Sequence, residues 1–161
     1  MKFGFKFKYR FFNAFRELFV HHHGSLEFRA KIFALIIATN KEIDIKNYSI
    51  IQEIGIRIYK NDEDRTNLLV LTTKEHVKKI LQNDDIDILI SSIQKELKIV
   101  PRYAKKINIE LLKPLLDLTQ DKDTLSYQEN ILEFLQTLKN ETLQSNKLQI
   151  EKDEKNLTSK Y

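Results

Sequence analysis

The sequence predicts an all-α chain, a single-domain bundle of about six to seven helices. Apolar residues recur at helical spacing through most of the chain, and capping residues stand before those runs. Only three Gly and two Pro occur in 161 residues. Sandwiches and barrels spend Gly and Pro on their many turns, so this scarcity argues against them. The length suits one domain with its own core. With 42% hydrophobic and 31% charged residues the chain falls among globular proteins. It has no Cys, which excludes disulfides, thiolate metal sites, iron–sulfur clusters and cysteine nucleophiles.

Residues 1–24 form a basic, aromatic N-terminal segment and a first helix. Lys2-Phe3-Gly4-Phe5-Lys6-Phe7-Lys8-Tyr9-Arg10-Phe11 alternates rings with mostly basic residues, which is an extended pattern. From Phe11 the spacing becomes helical, with Phe11, Phe15 and Leu18 on one face, and Gly24 is expected to end that helix. Residues 25–142 should form the bundle. Ser25 is the expected cap of a helix to about Ala38, apolar nearly all round after Lys31 and therefore central. Asp44 is the expected cap of a helix to about Tyr59, in which Gly55 implies close packing. Asn61-Asp62-Glu63-Asp64-Arg65 reads as a loop. Thr72 and Glu75 have capping-box spacing, which predicts a short helix from there. Asp84-Asp85 precedes a further helix, Pro101 sits in a connection, and Asn108 caps a helix that Pro114 should kink. Ser126 and Glu129 form a second capping box before the last helix. Residues 143–161 are polar and read as a disordered tail.

The net charge of +4 is unevenly placed. Residues 1–31 hold seven Lys/Arg against two Glu, leaving −1 for the remainder, and eight of the ten Phe lie there too. Nucleic-acid binders more often spread basic residues over a face of the fold, so nucleic acid is not an expected partner. No apolar run approaches the roughly 18 residues that span a bilayer. No continuous apolar core of a secretory signal interrupts the N-terminal cations. A cytoplasmic protein is expected, peripheral at the inner face of the membrane if the N-terminus binds lipid. Lys2, Phe3, Phe5, Lys6, Phe7, Lys8, Tyr9, Arg10 and Phe11 are the candidate contacts with a protein partner or an anionic membrane surface. The competing reading folds the same rings over the bundle.

A helix, a short polar loop and a capped helix occur twice. The first copy spans residues 32–59 and the second residues 111–138, with Asp44 and Ser126 as matching caps. The first loop reads Ala38-Thr39-Asn40-Lys41-Glu42-Ile43-Asp44-Ile45-Lys46-Asn47, and the second Asp121-Lys122-Asp123-Thr124-Leu125-Ser126-Tyr127-Gln128-Glu129. At these loops, within residues 26–140, the chain resembles the TerB-like family of tellurite-resistance and co-chaperone-associated helical domains. Ala38, Glu42, Ile43 and Asp44 match the family pattern, while Asn40 and Asn47 replace carboxylates. The second copy has an insertion and no Gly. The resemblance implies an all-α bundle with pseudo-twofold halves, a stress-associated role, acidic loops that bind divalent cations in some relatives, and no known catalysis. The His-Pro-Asp signature of a J domain does not occur in this sequence.

Asp121, Asp123 and Glu129 are the candidate hard-oxygen ligands for a divalent ion. The competing reading makes Glu129 part of a cap and the two Asp a solvated helix start. His21-His22-His23 cannot converge on one metal from a regular helix, because consecutive side chains point about 100° apart. His76, among Lys74, Glu75 and Lys78, is expected on an exposed face. Isolated glycines cannot build a phosphate-binding loop. No cofactor and no enzymatic activity are expected. The chain reads as a non-enzymatic helical interaction module, with peripheral membrane attachment and divalent-metal binding as the alternatives.

Overall fold

The computed structural model describes residues 24–159, and every regular element among them is helical. In chain order these are α1 (Gly24–Ile37), α2 (Lys46–Ile58), α3 (Glu63–Asn83), α4 (Ile86–Ile99), a 3₁₀ helix (Pro101–Lys106), α5 (Ile109–Leu116) and α6 (Lys122–Ser159). The expected all-α class holds, and the described residues contain six α-helices and one 3₁₀ helix.

α1 is the centre of the bundle, as its nearly all-round apolar sequence requires. Leu26, Phe28, Ala30 and the six residues from Ile32 to Ile37 are all buried. It packs against α3, α4, α5 and the 3₁₀ helix. Gly24, expected to end a preceding helix, is itself helical, so Ser25 is not the cap of α1. Its role is space. A β-carbon there would lie 2.5 Å from the Tyr103 hydroxyl, and the Tyr103 ring packs against Phe28 with centroids 5.5 Å apart.

α2 and α3 meet where Gly55 faces Thr66, the close packing that a glycine inside a helix implied. Between them the chain turns through Lys60 and Asn61, both with positive φ (52° and 67°). Asp62 then caps α3, accepting from the Arg65 amide at 3.1 Å. The loop expected over residues 61–65 is therefore shorter. The helix start expected at Thr72 does not occur, because Thr72 and Thr73 are buried in mid-helix. The inward stripe of α3 is Leu68, Leu69, Thr72, Thr73, His76, Val77 and Ile80. Polar residues at core-facing positions made one stripe look like two pieces.

Asp85, one of the two Asp expected to precede a helix, caps α4 through the Asp87 amide (3.0 Å), and Asn108 caps α5 through that of Glu110 (3.1 Å), as expected. α5 ends at Leu116, two residues past Pro114. Two expectations about α6 are corrected. The helix starts at Lys122, with Ser126 already inside it. Asp121 accepts from the Thr124 amide (3.0 Å) and hydroxyl (2.7 Å). The residues expected to form a tail continue as helix to Ser159. Lacking Gly and Pro, this stretch is built from good helix formers, so it extends α6 although it carries no full core stripe.

Candidate interaction surface

The two repeated loops are brought together, but by neutral groups. Gln128, fully buried on α6, donates to the Thr39 hydroxyl (3.0 Å) and lies 3.4 Å from the Ile36 carbonyl. Its carbonyl accepts from the Thr119 hydroxyl at 2.9 Å. Asn40, at the end of α1, donates to the Ile37 carbonyl at 3.1 Å. Each of these polar groups finds a partner, which ties the end of α1 to the entry of α6. Nothing in the sequence pattern singled out Gln128, whose partners Ile36 and Thr39 lie 92 and 89 positions away.

The candidate metal ligands lie at the rim of this junction. Asp121 is engaged with Thr124, and these hydrogen bonds, with a smaller contribution from Lys41, hold its carboxyl below the usual carboxylate range. Asp123 is in the first turn of α6, and Glu129 is exposed further along it. Among the described residues, no three His, Asp or Glu side chains are grouped as ligands for one ion.

A second polar cluster joins α1, α3 and α4. His76 is buried rather than exposed, with Nε2 2.7 Å from Glu27 Oε1. An ionised Glu27 can only accept, so the proton of this bond belongs to His76. One turn along α1, Lys31 donates to the Ser92 hydroxyl (2.9 Å) and pairs with Glu96 (3.0 Å). A half-open cavity of about 170 Å³ lies beside His76, Lys31 and Ser92. The ammonium of Lys31, held by Glu96, is not a base for Ser92, and His76 Nε2 is committed to Glu27. The cluster fastens three helices. Nearby, burial pushes the Tyr59 hydroxyl up in pKa against the opposing charges of Arg29 and Arg65, and burial lowers the Arg29 guanidinium.

The exposed surface offers a different kind of site. Ile43, Ile45 and Tyr48, at the entry of α2, face Val77, Leu81 and Gln82 on α3 across an open groove of about 520 Å³. Ile45 is 75% exposed and Leu81 49%. Two exposed cations, Lys74 and Lys78, line the same groove, and no carboxylate does. The Lys74 ammonium sits 5.0 Å from the centre of the Tyr48 ring. Sequence reading missed this groove because its walls come from two helices. The available signal was Ile45, an apolar residue just past the Asp44 turn and off the Ile51–Ile54 core face.

The nine candidate contacts from Lys2 to Phe11, and His21 to His23, lie outside the described residues. Comparison of the chain with family models, with characterised proteins and with solved structures gives no match. The resemblance to the TerB-like family rests on the loop residues quoted above.

Proposed function

We propose that this chain is a non-enzymatic helical interaction module of TerB-like kind, whose α2–α3 groove receives a segment of a protein partner. One observation carries the reading: exposed Ile45 and Leu81 share a groove with Tyr48, Lys74 and Lys78. An apolar floor with charged residues along it is the form that receives an amphipathic helix. A photo-crosslinking amino acid at Gln82, on the groove wall, should trap a partner in cells. Adding Ile45→Asp should abolish the adduct. Trapping that ignores Ile45→Asp would dismiss the groove as the site.

A second reading is favoured by the charge asymmetry, which gathers most of the Phe and a net +5 into residues 1–31. In it, Lys2, Lys6, Lys8 and Arg10, with the neighbouring rings, attach the protein to an anionic membrane surface. The metal alternative gains no support from a loop whose Asp121 already caps a helix.

A further inference from the structure

We infer that the segment received by the α2–α3 groove is the C-terminal arm of α6 from a second copy of this chain. The inference rests on the groove being a docking site and names its occupant. Every residue from 147 to 159 is exposed; beyond Gln149, which still lines a cavity with Leu97 and Pro101, about 15 Å of α6 stands clear of its own bundle. Short helices without a packed face are marginal in water. This one exposes Leu148 (53%), about 160° round the helix from Ile150, and the pair Ile150 (49%) and Leu157 (61%). The pair lies seven residues apart, on one face. Asp153 and Glu154 stand between them on that face, three and four residues from Ile150. Lys152 and Lys155 point roughly 140° or more away from it, at about 100° per residue. Lys147 flanks the stripe at its inner end. Asp153 also accepts from Gln149 at 3.0 Å, which leaves its carboxylate further acceptor capacity.

On this face the arm therefore presents two apolar side chains with two carboxylates between them. The groove presents an apolar floor with two cations and no anion. Apolar surface meets apolar surface, and Asp153 and Glu154 meet Lys74 and Lys78. The arm cannot serve its own groove. α6 is one helix from Lys122 to Ser159, with no Gly, Pro or break at which it could fold back. Reciprocal exchange between two copies makes the contact twice and closes as a twofold dimer, so each contact need supply only half of a stable interface.

Sedimentation of the full chain from micromolar to millimolar concentration tests this. The wild type should dimerise. Asp153→Lys/Glu154→Lys and Lys74→Glu/Lys78→Glu should each weaken self-association at least about tenfold. An equimolar mixture of the two variants should dimerise again, because both arm–groove pairs are then of opposite charge. As a second readout, oxidation of a Leu81→Cys chain mixed with an Ile150→Cys chain should join the two. A wild type that stays monomeric overturns the inference, as does a dimer indifferent to both double variants. So does a mixture that fails to recover, or no Leu81→Cys to Ile150→Cys product. If the dimer fails while a crosslinker at Gln82 still traps another protein through Ile45, the docking reading stands and only its occupant is wrong.

Discussion

A β-carbon on Gly55 would lie 2.9 Å from Thr66 Cγ2 and 3.4 Å from Thr66 Cα. Thr66 cannot turn away, because its hydroxyl donates to the Asp62 carbonyl at 2.8 Å and its side chain is buried. Gly55→Ala gains up to about 1 kcal/mol of helix propensity, against about 1–3 kcal/mol for overpacking a tight contact. Overpacking should win, lowering stability by about 1 kcal/mol. Thr66→Ser keeps the hydroxyl and removes Cγ2, so the double variant should regain most of the loss. Urea denaturation of the two single variants and the double would measure this, and a Gly55→Ala protein as stable as wild type would refute it. The close approach was legible in the sequence, since a glycine inside an amphipathic helix needs such a reason. His76 was not. Its neighbours Lys74 and Lys78 are exposed, and the Glu27 that receives it lies 49 positions away.

At the scale of elements, the caps show what local pattern can and cannot decide. Asn108 was recognised as a cap, and Asp84-Asp85 as the start of a helix, because short polar side chains stand directly before an apolar stripe. Asp44 falls one residue short: Ile45 stands at the N-cap position of α2 without a side-chain bond, although Asp44 accepts from the Lys46 amide at 2.9 Å. The two capping boxes failed. Thr72 and Ser126 had the right spacing, but helix formers continue on both sides of each, and a cap needs an extended backbone. The helix starts lie at Asp62 and Asp121 instead. With Ser126 inside α6, the matched caps of the two repeat copies lose their correspondence, and Gln128 joins the loops in their place. The Asp121 cap makes its own prediction. Its carboxyl is held below the ordinary range by Thr124, so the folded state binds that proton less readily than the unfolded chain. The stabilisation is complete above the ordinary carboxylate range and is lost as pH falls through the lower folded value. Thermal midpoints measured from neutral to strongly acidic pH should fall less steeply at the acid end for Asp121→Asn than for wild type. Identical acid limbs would show that Asp121 contributes nothing to the start of α6.

The whole molecule divides its charge along the chain: residues 1–31 are strongly basic and the remainder is close to neutral. None of the helices among the described residues is long and apolar enough to cross a membrane. In the sequence of the N-terminal segment, Lys and Arg interrupt the rings before any run reaches the roughly 18 apolar residues of a span, so the attachment proposed for it is one at the surface. Lys2, Lys6, Lys8 and Arg10 would each contribute about 1 kcal/mol near anionic lipid, and partly buried rings of Phe3, Phe5, Phe7 and Phe11 would add to that. That is enough for reversible attachment and too little for permanent anchoring. The competing outcome is that these rings complete the core, in which case they stabilise the fold. Deleting residues 2–12 separates the two. On the membrane reading, the full chain sediments with vesicles containing phosphatidylserine and is released by added salt, because surface electrostatics are screened within about 10 Å at 0.1 M. The deletion variant then loses vesicle binding while its melting temperature stays within a degree or two of wild type. On the packing reading, the deletion lowers stability by several kcal/mol, as removal of multiple buried aromatic side chains must, and the full chain ignores anionic vesicles. Binding that persists at high salt and on neutral lipid would refute the electrostatic account, because four cations that contribute nothing leave only the rings to hold the surface.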